Sequence, residues 1–112
     1  MKQMKIQVIT NIDIEGFHRW ADAPDKVDFL RFRHRHLFNI KCYFNVENPD
    51  RELEIFMLEW KLKDYINNKW GSPAEFDGMS CEMIATDILN NFNACEKVQV
   101  LEDNKGGGVV WR

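Results

Sequence analysis

The chain has 112 residues, enough for one domain with a core of its own and too few for two. With 15 basic and 18 acidic residues the net charge is -3, which argues against nucleic acid or an anionic membrane held by bulk charge. No apolar run approaches the roughly 20 residues of a membrane span and no signal-peptide pattern precedes the first strand, while Cys42, Cys81 and Cys95 lie at no metal-motif spacing and suit reduced thiols; a cytoplasmic protein is expected.

From Lys5 to His18 the even positions read Ile6, Val8, Thr10, Ile12, Ile14, Gly16, His18, against the mainly polar Lys5, Gln7, Asn11, Asp13 and Glu15. Period two over this length predicts a long strand with one buried face, and His18 closes that face. Ala21 to Asp25 is turn chemistry, and Val27, Phe29 and Leu30 could form a short helical turn. A second strand opens at Arg33-His34-Arg35-His36, where His34 and His36 share the parity of Phe38, Ile40, Cys42, Phe44 and Val46. An antiparallel hairpin sets the end of the first strand beside the start of the second. All three histidines of the chain, His18, His34 and His36, therefore converge on one face at one edge. Three imidazoles in that arrangement suit a metal ion.

Glu47-Asn48-Pro49-Asp50 is a turn and Glu52 to Phe56 an extended lead-in. The spacing of Leu58, Leu62, Tyr65 and Ile66 predicts an amphipathic helix from about Met57 to Asn67, with Trp60 off the stripe and able to serve a subunit contact. Asn67 to Gly78 reads as a loop. Ser80 is an N-cap for a second helix whose stripe is Cys81, Ile84, Ala85, Ile88, Leu89 and Phe92, ending near Asn93. Lys97 to Glu102 alternates as a strand, Asp103 to Gly107 turns, and Gly108 to Trp111 is a last strand. The expected architecture is one α+β domain over residues 1–112, order ββααββ, an antiparallel sheet with two helices on one face.

Five short motifs in this order resemble the 6-pyruvoyl-tetrahydropterin synthase and 6-carboxytetrahydropterin synthase family of the tunnelling fold (T-fold). Ile14-Glu15-Gly16-Phe17-His18-Arg19-Trp20 is similar to F-x-A-A-H-R-L, and His34-Arg35-His36-Leu37-Phe38 to H-G-H-N-Y. Glu54-Ile55-Phe56 is loosely similar to M-D-F before the first helix, Ser80-Cys81-Glu82-Met83-Ile84-Ala85 to P-T-x-E-N-L-A, and Val98-Gln99-Val100-Leu101-Glu102 to V-x-V-x-E. The resemblance implies that His18, His34 and His36 hold Zn2+ and that Glu102 anchors a pterin- or purine-like heterocycle. It also implies that Ser80 and Cys81 line the substrate site, and that subunits assemble as trimers or hexamers with sites between them. Lyase-type chemistry is the activity it implies. A carboxylate is the natural acceptor for the guanidine-like edge of such a ring.

The sequence departs from that family where its proton chemistry lies. Asp28 to Arg33 holds no cysteine ahead of the H-x-H motif, and Asn67 to Met79 holds no histidine in place of an L-D-H motif. Cys42 is six residues beyond His36, roughly 20 Å at strand rise, and too far to substitute. Cys81, near a helix N-terminus where the dipole lowers a thiol pKa, is the candidate catalytic residue; a small buried residue on the helix stripe is the simpler reading. Two further readings stay open: a non-catalytic protein that binds or sequesters a nucleotide or pterin, and an oligomeric interaction protein with a vestigial pocket. Arg31, Arg33 and Arg35, with Arg19 nearby, could hold phosphates, although a solvated or subunit-facing charge row is simpler. Neither a membrane nor nucleic acid is an expected partner.

Overall fold

The computed structural model describes residues 4–112. Strand β1 (Ile6–His18) buries Thr10, Ile12, Ile14, Gly16 and His18 and exposes the residues between them, apart from a half-buried Phe17. A 3-10 turn over Asp25–Arg31 then leads into β2 (His34–Val46), which returns antiparallel along the whole of β1. The register runs from Ile6 opposite Val46 to His18 opposite His34, so the predicted hairpin forms with its histidines at the loop end.

Helix α1 (Ile55–Trp70) is longer at both ends than periodicity predicts. Glu54 is its cap, with a side chain that accepts from the backbone N–H of Phe56 and Met57, so Ile55 and Phe56 start the helix and are not an extended lead-in. Its buried stripe is Leu58, Leu62 and Ile66, and Trp60 lies off it, exposed. Trp70 belongs to the last turn because its ring packs on Tyr65 and Phe76. Gly71, at φ 91°, ends the helix in a conformation that favours glycine.

The expected loop from Asn67 to Gly78 contains a fifth strand, β3 (Ala74–Asp77), which pairs parallel to the end of β1. Four residues between turn signals carry too little alternation to be seen in advance. Helix α2 (Cys81–Asn91) follows with Ser80 as N-cap, then β4 (Cys95–Glu102) and β5 (Gly106–Trp111), each beginning two residues before the predicted strand. The order is therefore ββαβαββ in place of ββααββ, and the sheet, β3-β1-β2-β4-β5, is mixed in place of antiparallel.

Both helices do cover one face. Leu58, Leu62 and Ile66 of α1 and Ile84, Ala85 and Ile88 of α2 share one buried cluster with Ile12, Ile14, Phe38, Ile40, Phe44, Phe76, Val98 and Val100 from the strands. Burial of this apolar area is the main force closing the layers. Gly16 matters to the packing, since a Cβ there would stand 2.8 Å from the Phe76 ring and 3.1 Å from Phe38. Among the described residues no helix is long and apolar enough to cross a membrane.

Candidate metal centre

Residues at the end of the β1–β2 hairpin build the site. His18 faces His34 directly across the hairpin, and His36 lies opposite Gly16, whose missing side chain makes room for the Phe38 and Phe76 rings. The ring centroids stand 4.6 Å (His18–His34), 5.2 Å (His18–His36) and 4.9 Å (His34–His36) apart. One nitrogen from each ring lies within 4.8 Å of the other two, close enough for all three to hold one metal ion. Below them the fully buried Phe38 ring meets His18 at 5.2 Å and His36 at 5.6 Å, edge to face, and rests in turn on Phe76 at 5.0 Å.

The second nitrogen of each ring sets what the first can do. His18 Nδ1 is 2.9 Å from the Met79 carbonyl oxygen, His34 Nδ1 is 2.8 Å from that of Phe32, and His36 Nδ1 is 2.7 Å from Asp103 Oδ2. Carbonyls and carboxylates only accept, so each Nδ1 carries the proton and donates it. A neutral ring then presents its Nε2 lone pair inward. The Nε2 atoms of His34 and His36 are buried and have no hydrogen-bond partner. Buried polar atoms seldom stay unpaired, and inward Nε2 lone pairs with outward hydrogen bonds from Nδ1 are the donor set of a metal site. The chemistry of these three residues fits zinc.

Asp103, which the sequence marks only as the start of a turn, is the acceptor that orients His36. It sits at φ 52°, one residue past β4, with Oδ1 accepting from the Leu37 N–H at 2.9 Å while Oδ2 takes His36. These two bonds hold its carboxyl below the ordinary range, the Leu37 N–H first and His36 second. Periodicity within β2 and β4 does not give their pairing, and only that pairing brings Asp103 beside His36. The two backbone carbonyls, of Met79 and Phe32, leave no mark on a sequence at all.

Glu102 reaches the cluster from β4, with Oε2 3.0 Å from His18 Nε2 and Oε1 3.5 Å from His36 Nε2. The His18 contact is the chief cause that lowers its pKa, partly opposed by burial. Burial pulls the His18 pKa down, but the Glu102 carboxylate and the Met79 carbonyl together outweigh it and raise the value above the ordinary 6.5.

Cys81 does open α2, with Sγ 3.6 Å from Glu102 Oε2 and donating to it. Its thiol is not lowered by the helix terminus. Burial first, then the Glu102 charge and hydrogen bond, push it up to about 12, which overturns the expectation of an acidified thiol. A group held so firmly protonated is a poor nucleophile or base, and Cys81, at 4% exposure, is part of the core. Ser80 caps α2 through Oγ, accepting from Met83 N–H at 3.2 Å, which leaves its hydroxyl proton free to face a ligand.

A cavity of about 670 Å³ opens over the three histidines. Trp20, Met79 and Met83 give it apolar wall, Glu102 and Ser80 polar points, and Arg19 and Lys105 positive charge. That volume and mixture are ordinary for a small-molecule site. The arginines of the predicted row are paired: Arg31 with Asp25, Arg33 with Glu75 while its guanidinium lies on the Phe17 ring, and Arg35 with Glu15. The row is ion-paired surface, and its charge is compensated locally.

Compared with known proteins, the chain matches no protein-family model and no curated protein.

Proposed function

We propose that this protein is a zinc-binding T-fold protein, similar to the 6-pyruvoyl-tetrahydropterin synthase family, whose cavity takes a pterin- or purine-like heterocycle. One observation carries the reading: one nitrogen of each ring lies within 4.8 Å of the other two while every Nδ1 is tied to an acceptor. His18, His34 and His36 would hold the metal, which when bound supplies a Lewis acid for an oxygen of the ligand. Glu102 would accept from the amino and ring N–H edge of the heterocycle, Ser80 would donate, and Trp20 with Met83 would cover the apolar faces. Assembly into trimers or hexamers in the cytoplasm belongs to the same proposal. Elemental analysis of purified, tag-free protein tests the metal, with about one zinc per chain expected and none refuting it; light scattering tests the assembly.

Binding without turnover is the second reading, and the site itself favours it over lyase chemistry. The chain has three histidines, all at the metal position, and Cys81 is held protonated beside Glu102. Among the described residues the cavity keeps no further histidine and no acidified thiol for the proton transfer such an enzyme makes, and its other titratable lining is Glu82, Asp103 and Lys105. Turnover of dihydroneopterin triphosphate by the zinc-loaded protein would refute this reading. A thermal shift produced by pterins or purines without turnover would support it.

A further inference from the structure

Glu102 stands in an arrangement that requires a cation. Its carboxylate is acceptor-only, and it lies 3.0 Å from the Nε2 of a ring whose Nδ1 already donates to Met79. Its other oxygen lies 3.5 Å from His36 Nε2, an atom that finds no hydrogen-bond partner, and that ring's Nδ1 is likewise committed, to Asp103. Two acceptors so close repel unless a positive charge lies between them. One proton on His18 can satisfy a single contact. A metal ion satisfies all of them. Ligand atoms 2.0 to 2.1 Å from a tetrahedral zinc stand about 3.3 Å from one another. One carboxylate oxygen lies 3.0 Å from His18 Nε2 and the other 3.5 Å from His36 Nε2, so a small rotation of the Glu102 side chain brings either oxygen to that spacing. The three imidazoles form the preset donor group, and Glu102 stands beside two of them, within a side-chain movement of a fourth position.

We infer that Glu102 is a fourth protein ligand to the metal when the cavity holds no heterocycle, so that the resting centre is closed. The inference rests on the metal reading above and deepens it. The amino and ring N–H edge of the heterocycle takes both carboxylate oxygens, so an entering ring draws Glu102 away and frees the fourth position only when it is in place. Cys81 keeps Glu102 near this position by donating to Oε2. A site closed in this way excludes water and small anions from the metal until the correct ligand arrives.

The test uses cobalt(II) as the metal and azide as an external ligand, with visible absorption as the readout, on the wild type and on Glu102→Gln and Glu102→Ala. The wild-type spectrum should be unmoved by azide. Both variants should take azide with a shifted band, and their cobalt affinity in a chelator competition should fall by about tenfold or more. The glutamine variant keeps the shape of the side chain and guards against a folding defect in the alanine variant. A wild-type centre that takes azide as readily as the variants has an open position, and the inference is then wrong even though the metal reading stands. A wild type that takes up no cobalt and no zinc overturns both.

Discussion

Asp103→Ala is the most discriminating single change outside the three histidines. The side chain makes two bonds, Oδ2 to His36 Nδ1 at 2.7 Å and Oδ1 to the Leu37 N–H at 2.9 Å, and it touches neither His18 nor His34. Removing it frees His36 to rotate and to take the other tautomer, so one of three donors no longer arrives oriented. Loss of an outer partner of this kind costs about 10- to 100-fold in metal affinity. Asp103→Asn should fall between the wild type and alanine, because an amide oxygen still accepts but without charge, and asparagine tolerates the left-handed backbone at φ 52°. Affinity is measured by competition with a chromophoric chelator near neutral pH. Thermal unfolding of the metal-free proteins is the control, where the variants should melt close to the wild type because the side chain is half exposed. Equal zinc affinity in Asp103→Ala and wild type would refute the reasoning that Nδ1 partners preset this centre.

The remaining predictions concern protons and packing. In the metal-free protein the raised His18 value means that its stabilising contact is whole below the ordinary 6.5 and lost as pH rises through the folded value. The lowered Glu102 value means the same contact is present above the ordinary 4.5 and lost as pH falls through the folded value. Chelator-treated protein should thus be most stable to urea between 4.5 and 6.5 and should weaken toward alkaline pH. Zinc in excess should reverse that slope, since metal binding needs neutral imidazoles; identical slopes with and without zinc would count against the site. Gly16→Ala drives a methyl into Phe76 and Phe38 and should cost about 1–3 kcal/mol in chemical denaturation, with weaker zinc binding because Phe38 carries the His18 and His36 rings. The wild-type Cys81 thiol should react only slowly with a thiol reagent near neutral pH, given its value of about 12. Fast labelling of Cys81 would restore it as a reactive group.

What could be read in advance follows from how local each signal is. Side-chain parity in β1 and β2 needs only a period of two, and that period alone puts His18, His34 and His36 on one face and at one end, where the hairpin register holds them. The two helices, carried by Leu58, Leu62 and Ile66 and by Cys81, Ile84 and Ile88, are legible for the same reason at a longer period. Strand β3 is not, because Ala74 and Phe76 are its only buried positions and a turn precedes them. Its pairing with β1 is a tertiary fact that no local window contains. The environment of Cys81 escapes the sequence for a related reason: a helix N-terminus is visible there, whereas the Glu102 carboxylate beside the thiol depends on where β4 lies in the sheet.

The sheet order explains why the donors and their supports gather at one end. Strand β2 lies between β1 and β4, so the start of β2 meets the end of β1 on one side and the end of β4 on the other. His34 and His36 stand at that start, His18 at the first of those ends, and Glu102 and Asp103 at the second. The chain entering α2 supplies the Met79 carbonyl to His18. Segments distant in sequence, the β1–β2 hairpin, the approach to α2 and the β4–β5 turn, therefore meet only in the folded state, and an ion held by all of them binds that state and not the unfolded chain. Zinc at a thousandfold excess over its dissociation constant would add about 4 kcal/mol to unfolding. The gain should fall on these three segments together, so hydrogen exchange should slow at Leu37, at the Met79–Cys81 approach and at Asp103 in concert when zinc is added. Slowing confined to the hairpin would mean that the second and third segments are neighbours of the metal centre without being part of it.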